Sequence, residues 1–154
     1  MWAVQSNGRE GVIVGFTGSR DGPETVDQLE MVRMVFESLG TTTLHHGDCE
    51  GWDKAADTLA VELGIAVTVH PPSNSSLRAF CKGAKHTVLQ PRSYLDRNRN
   101  IVDACDVLVA CPGPRSRGSL YTMRYAATQT RLTYEVNRTG LVEKHTYELV
   151  TGGL

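Results

Sequence analysis

Four short segments of this sequence combine glycine, hydroxyl and charged residues closely enough to bind a small anion. The first, residues 15–20 (GFTGSR), offers hydroxyls at Thr17 and Ser19, backbone N–H groups around Gly18 and a fixed cation at Arg20. It has neither the GxGxxG spacing of a dinucleotide site nor the Lys-Ser/Thr pair of a P-loop. The segment therefore predicts an anion-binding loop of another kind, or, as the alternative, a tight turn between a strand and a helix.

The second segment, residues 47–53 (GDCEGWD), holds two glycines and three acids, which is more than a turn requires. We predict that Asp53 caps the helix that follows, a contribution of about 1 kcal/mol. Asp48 or Glu50 can instead accept hydrogen bonds from ribose hydroxyls or from a base. The segment as a whole is therefore a candidate for ligand binding.

The third segment, residues 94–100 (YLDRNRN), places Arg97, Asn98 and Arg99 near the start of a predicted helix that Asp96 can cap. The N-terminus of a helix carries partial positive charge, so this run of polar residues suits an anion site. The alternative is an exposed first turn whose arginines contact only water.

The fourth segment, residues 112–119 (PGPRSRGS), begins with Pro112 and Gly113 and lies between a predicted strand and a predicted helix. Gly118 and Ser119 can place N–H groups and a hydroxyl on a bound phosphate with no large side chain in the way. A flexible basic loop is the alternative. In a parallel sheet, ligands bind beyond the carboxyl ends of the strands, so all four segments are expected at one edge.

Hydrophobic periodicity predicts that strands and helices alternate along the chain. Strands are predicted over residues 11–16, 41–46, 65–70, 87–90, 107–111 and 132–136, and helices over 24–39, 53–63, 75–83, from 96, and 119–130. Strands joined by helices pair in parallel with right-handed crossovers. We therefore predict an α/β, three-layer, Rossmann-like fold with a mainly parallel sheet of about six strands flanked by helices. Trp52 is predicted to pack in its interior.

Length and charge narrow the class of protein. The 154 residues predict one domain (1–154) with a core over about 11–136 and a tail over 137–154 that has no clear pattern. Sixteen Lys and Arg residues against 17 Asp and Glu residues argue against a nucleic-acid-coating protein. Basic residues dominate between 70 and 134, which predicts either an anion pocket or solvated helix faces. No apolar run suits a membrane span or a secretory signal, so a cytoplasmic location is expected.

The cysteines predict neither a metal site nor a nucleophile. Cys49, Cys81, Cys105 and Cys111 show no CxxC spacing, and no histidine lies at zinc-finger distance from a pair. Cys105 and Cys111 flank an apolar run and are predicted to pack as small apolar residues. No cofactor is expected.

Taken together, the four segments resemble a known family. VGFTGSR at 14–20, HGDCEGWDKAA at 46–56 (similar to a GGAxGxDxxA box), RNR at 97–99 and the closing Gly118-Ser119 occur in the order typical of the SLOG branch of Rossmann-like folds. That branch includes DprA/Smf, the LOG-type phosphoribohydrolases and the small YspA/YpsA-like proteins. The resemblance spans about residues 11–136 and is nearest to the YspA/YpsA-like group.

The resemblance implies a nucleotide or nucleotide-derived ligand. Gly18, Ser19 and Arg20 would form the first ligand loop, and Gly47 and Gly51 would let the second loop approach. By the same resemblance, Arg97 and Arg99 would meet phosphate, which Gly118 and Ser119 would cradle. A homo-oligomer is compatible with this family, while membrane association is not expected.

One departure from the family bears on catalysis. The LOG enzymes carry a PGGxGTxxE box whose glutamate helps to cleave an N-glycosidic bond, and Thr122 stands at that position here. Threonine cannot hold the negative charge that stabilises an oxocarbenium ion. The first hypothesis is therefore a nucleotide-binding protein. The alternative is a nucleoside 5′-monophosphate hydrolase with catalytic candidates Glu50, Asp48 and Arg99, and a single-stranded DNA binder is the weakest hypothesis.

Overall fold

The computed structural model describes residues 11–146, and these form one seven-stranded sheet with four helices. The strands are β1 (Val12–Gly18), β2 (Thr41–His46), β3 (Ala66–Val69), β4 (His86–Val88), β5 (Val107–Cys111), β6 (Leu132–Val136) and β7 (Val142–His145). The helices are α1 (Val26–Ser38), α2 (Trp52–Leu63), α3 (Tyr94–Ala104) and α4 (Arg117–Thr128). The strand order is β4-β3-β2-β1-β5-β6-β7, and every neighbouring pair is parallel except β6 and β7.

The centre of the sheet is buried on both faces, which explains its uninterrupted apolar strands. All five residues of β5 are buried, and β1 beside it contributes Val14 and Phe16 to the core. Helices α1 and α2 pack together on one face, while α3 and α4 pack together on the other. This arrangement confirms the predicted three-layer α/β fold. No helix among residues 11–146 is long and apolar enough to cross a lipid bilayer.

The helix starts differ from two sequence predictions. Gly51, not Asp53, is the N-cap of α2, and Asp53 lies in the first turn, where its Oδ2 accepts the N–H of Cys49 at 3.2 Å. Ser93, not Asp96, is the N-cap of α3 and accepts the N–H of Asp96. Both predicted caps were placed two or three residues late, because an acid in the first turn carries the same sequence signal as a cap.

Two segments gain their structure from pairing with distant parts of the chain. The prediction of a helix over 75–83 is wrong, since the segment contains only one 3₁₀ turn, Ser75–Leu77. The backbone of this segment instead forms hydrogen bonds with the loop after β2. There the N–H of Ala79 donates to the carbonyl oxygen of Asp48 at 2.8 Å. At the other end, the predicted patternless tail contains β7, which pairs antiparallel with β6 and makes the sheet seven-stranded rather than six-stranded. Residues 147–154 of the tail lie outside the described residues.

Candidate functional site

The candidate site lies where the direction of strand order reverses. β1 pairs with β2 on one side and with β5 on the other, so the chain leaves their carboxyl ends toward opposite faces of the sheet. Such a switch point opens a crevice in parallel α/β sheets. Here the crevice is a cleft of about 750 Å³. Its lining residues are Thr17, Gly18, Ser19, Arg20, Asp21, Glu24, Cys49, Asp53, Tyr94, Arg97, Asn98 and residues 113–119.

Two helices point their N-termini into this cleft. Gly118 and Ser119 belong to the first turn of α4, and Tyr94 and Arg97 belong to the first turn of α3. The first N–H groups of a helix have no partner within the helix, and the helix dipole adds partial positive charge there. The cleft therefore presents two electropositive backbone ends to whatever occupies it.

The loop after β1 is rigidly anchored beneath the cleft. The N–H of Ser19 donates to the carbonyl oxygen of Cys111 at 3.0 Å, and the N–H of Trp52 donates to the carbonyl oxygen of Ser19 at 3.0 Å. Gly18 lies directly against Trp52, and a Cβ at Gly18 would overlap that indole. Glycine is thus required at Gly18 by a close side-chain contact, and Trp52 is fully buried, as predicted.

Arg97 is part of the wall of the cleft rather than a mobile surface cation. Only 3 % of the residue is exposed, and its Nη1 donates to the carbonyl oxygen of Gly47 at 2.8 Å. Its guanidinium carbon lies 4.4 Å from the centre of the Tyr94 ring. Gly47 has no room for a Cβ, which would overlap the Arg97 guanidinium. Gly47 was predicted to let a ligand approach the loop. Its missing side chain is instead explained by Arg97, whose guanidinium occupies the space that a Cβ would need.

Arg20 is the exposed counterpart of Arg97 on the other side of Tyr94. Its Nη2 donates to the Tyr94 hydroxyl, and its guanidinium carbon lies 5.2 Å from the centre of the same ring. These contacts connect the loop after β1 with the start of α3. Arg20 thereby holds a positive charge at the mouth of the cleft without an acidic partner in the described part of the chain.

The loop before α4 is folded by its own hydroxyl groups. The Ser116 hydroxyl accepts the N–H of Gly113 at 2.7 Å, and the Thr17 hydroxyl donates to the Ser119 hydroxyl at 3.1 Å. Ser119 is 4 % exposed, so this contact joins β1 to α4 inside the cleft. Arg115 and Arg117 also line the cleft from this loop.

Asp53 and Cys49 lie side by side at the inner end of the cleft. Burial raises the pKa of the Asp53 carboxyl, although the nearby His46 ring and Arg97 guanidinium oppose that shift. Burial, together with the nearby Asp53 carboxylate, also raises the pKa of the Cys49 thiol. Cys49 therefore carries a neutral thiol at physiological pH and is not an activated nucleophile.

Asp48 lies behind the cleft instead of in it. The residue is fully buried, its Oδ2 accepts Arg78 Nε at 2.7 Å, and its Oδ1 accepts the N–H of Cys81 at 2.8 Å. Its backbone has a positive φ of 59°. Both carboxylate oxygens are therefore used to tie the loop after β2 to the segment that follows β3.

Other predicted site residues also lie outside the cleft lining. Glu50 projects to solvent beside Lys54, with 3.7 Å between their charged atoms. Arg99 lies on the outer side of α3, where its Nε donates to the Tyr121 hydroxyl at 2.7 Å. Gly51, with a φ of 89°, packs on the Arg20 backbone, and Pro112 does not line the cleft.

Some residues that line the cleft were not among the predicted site residues. Asp21 and Glu24 follow the first segment, and Tyr94 opens the third, yet only the folded chain brings them to one cavity. Arg115 and Arg117 belong to the fourth segment and contributed to the basic excess in the sequence. Tyr94 did carry a sequence signal, because it lies two residues before the polar run that begins at Asp96.

Comparisons with known proteins bear on the fold. No family model matches the chain, and no curated protein matches it. Among solved structures, the chain is similar to the X-ray structure of TM1055, a target of the Northeast Structural Genomics Consortium, with a TM-score of 0.60 and 16 % sequence identity. The match covers 79 % of this chain and 71 % of that one. At this identity the similarity shows the fold alone, which is a Rossmann-like α/β fold.

Proposed function

We propose that this protein binds a nucleotide or nucleotide derivative in the cleft between β1 and β5, as a member of the SLOG type. The observation that carries the proposal is the meeting of the α3 and α4 N-termini with several arginines around one cavity at the switch point. Backbone N–H groups and guanidinium groups are the usual donors to phosphate.

The size and charge of the cleft support a ligand of this class. A volume of about 750 Å³ falls within the range of roughly 300–1,000 Å³ that small-molecule sites occupy. Four arginines line the cleft, against the three acids Asp21, Glu24 and Asp53.

The polar groups divide into two sets with different tasks. The N–H groups at Gly118 and Ser119 would hold a phosphate, with Arg115 and Arg117 close enough in sequence to close over it. Arg20 would add a cation from the opposite rim. Arg97, because it is buried, would contribute through its charge and through the loop that it holds in place.

The test begins with a thermal-shift panel of nucleoside mono-, di- and triphosphates, NAD, ADP-ribose, cyclic nucleotides and a short single-stranded DNA. A ligand present at about 100 times its dissociation constant adds roughly 2.7 kcal/mol to the free energy of unfolding, a shift of several degrees in Tm. We expect one nucleotide class to produce that shift. A panel with no stabilising nucleotide would contradict the proposal.

Two matched arginine variants then locate the site by isothermal titration with the nucleotide found. Arg20 and Arg99 each donate to a tyrosine hydroxyl at the surface, yet only Arg20 lines the cleft. Arg20→Ala should weaken binding about tenfold or more, since a hydrogen bond to a charged group contributes about 1.5–3 kcal/mol. Arg99→Ala should stay within about twofold of wild type. Equal effects in the two variants would place the site elsewhere.

A second candidate function is hydrolysis of an N-glycosidic bond in the same cleft, because Asp53 is a buried carboxyl on its lining with a raised pKa. Such a group can act as a general acid. The alternatives Glu50 and Asp48 do not line the cleft, and Thr122 is buried with its hydroxyl bonded to the Gly118 carbonyl at 2.8 Å. Release of free base that Asp53→Asn abolishes, while nucleotide still binds, would support hydrolysis. No base release by the wild type would rule against it.

A further inference from the structure

Two clusters of potential metal ligands occur among the described residues, and neither lines the cleft. The first comprises His46, Asp57 and Cys81, and the second comprises Glu135, Glu143 and His145. In each cluster the ligand atoms lie within 4.8 Å of one another. The histidine tautomers separate the two, because a metal binds only the unprotonated ring nitrogen.

The first cluster holds its histidine in the wrong tautomer for a metal. His46 Nδ1 accepts the backbone N–H of Asp48 at 3.0 Å, so the ring proton is on Nε2. That Nε2–H points at Asp57 Oδ1, 2.8 Å away. Coordination through Nε2 would move the proton to Nδ1 and set it against the Asp48 N–H. His86 Nε2 also bonds Asp57 Oδ1 at 2.8 Å, so hydrogen bonds already occupy the imidazole and carboxylate atoms that a metal would need.

The second cluster has no such restriction. His145 Nε2 lies 2.8 Å from Glu135 Oε1 and 3.8 Å from Glu143 Oε2. Within residues 11–146, Nδ1 of His145 has no hydrogen-bond partner, so it can take the proton when Nε2 binds a cation. The His145 side chain is a quarter exposed, which lets water solvate that proton.

The strand register builds this second cluster on one face of the β6–β7 ribbon. Glu135 stands directly opposite Glu143, and His145 is two residues further along the same strand. Residues two apart in a strand share a face, so the three side chains converge. Two carboxylates facing each other across neighbouring strands repel, and a cation between them would remove that repulsion.

We propose that Glu135, Glu143 and His145 form a binding site for a divalent transition cation of the zinc type. Zinc at about 2.1 Å from each donor sets tetrahedral donors about 3.4 Å apart, which lies between the 2.8 and 3.8 Å found here. One imidazole with two carboxylates suits Zn²⁺, whereas Mg²⁺ and Ca²⁺ prefer oxygen ligands throughout. The site lies at the edge of the sheet, where a bound ion would fasten β7 to β6.

The test is a calorimetric titration of the full chain with Zn²⁺, with Mg²⁺ in a parallel run. We expect one equivalent of Zn²⁺ to bind and Mg²⁺ to bind far more weakly. Glu143→Gln and His145→Gln should each weaken zinc binding at least about tenfold, since even a residue behind the ligands costs about that much. Glu143 is 66 % exposed on its side chain, so its variant retains the fold.

Two controls assign the site. Glu30→Gln removes a similarly exposed glutamate from α1, and Cys81→Ala removes the thiol of the first cluster. Both variants should bind zinc as the wild type does. The proposal is overturned if zinc does not bind, if Mg²⁺ binds equally well, if Glu143→Gln and His145→Gln leave affinity unchanged, or if Cys81→Ala abolishes binding. None of these results depends on the nucleotide cleft.

Discussion

Replacing Asp48 with asparagine separates a structural role for this residue from a ligand-binding one. The carboxylate accepts Arg78 Nε through one oxygen and the N–H of Cys81 through the other, both within 2.8 Å. Asparagine fits the same positive-φ backbone, but it offers one acceptor and presents an NH₂ group to the second donor. The substitution therefore leaves a buried donor unpaired and removes the charge that faces Arg78.

The expected cost follows from the burial of the two partners. Breaking a buried ion pair from one side costs about 3–5 kcal/mol. The Asp48 side chain is 0 % exposed, but Arg78 is 16 % exposed and can regain some water, so we expect the low end, about 3 kcal/mol. For a chain of this length, 1 kcal/mol moves Tm by about 2–4 °C, which gives a fall of roughly 6–12 °C.

The assay is urea denaturation followed by tryptophan fluorescence, because Trp52 is fully buried and will report unfolding. Glu50→Gln is the matched control two residues away, where an exposed pair with Lys54 contributes at most about 0.5 kcal/mol. Below the unfolding transition, both variants should bind nucleotide as the wild type does, since neither residue lines the cleft. Equal stability of the two variants, or lost binding in folded Asp48→Asn, would refute this reasoning.

Three further substitutions test the same structure. Gly47→Ala places a Cβ on the Arg97 guanidinium, so the free energy of unfolding should fall by about 1–3 kcal/mol. Thermal denaturation measures this change, and an unchanged Tm would contradict that contact. Gly118→Val adds a branched side chain at the start of α4, where the proposed phosphate would lie. Calorimetry should therefore detect at least tenfold weaker nucleotide binding, and unchanged affinity would show that phosphate does not bind there. Burial lowers the pKa of His70 to about 3 and of His45 to about 4, whereas both titrate near 6.5 when unfolded. Between these values the unfolded chain binds more protons, so stability falls as pH drops below about 6.5, by up to about 1.4 kcal/mol per pH unit for each ring. Urea denaturation at pH 7, 6 and 5 should show a shallower decline for His70→Gln than for wild type, and identical declines would count against buried neutral rings.

The fold was largely predictable because local patterns and global packing agree along the central strands. The five residues of β5 form an uninterrupted apolar run, and the buried residues of α1 recur at helical spacing. Each pattern by itself indicates whether the segment is a strand or a helix. β7 was not predictable in this way. Its sequence, Val-Glu-Lys-His, is mostly polar, and its strand conformation comes from hydrogen bonds to β6.

The candidate site was predictable to the level of segments but not of side chains. The sequence by itself determined that four polar segments follow strands, and in a parallel sheet that places them at one edge. Which side chains face the cleft depends on partners far along the chain. The Asp48 carboxylate pairs with Arg78, and the Arg97 guanidinium donates to the carbonyl oxygen of Gly47, fifty residues away.

The physical reason for this division is the range of the interactions. Strand and helix formation depend on neighbours a few residues apart, so periodicity in the sequence records them. Burial of a charge depends on desolvation and on a partner that only the folded chain supplies. Residue types and spacing therefore determined the three-layer sheet and the edge of that sheet where the four polar segments meet. Only the tertiary structure decided that Arg20 and Asp53 line the cleft while Asp48 and Arg99 do not.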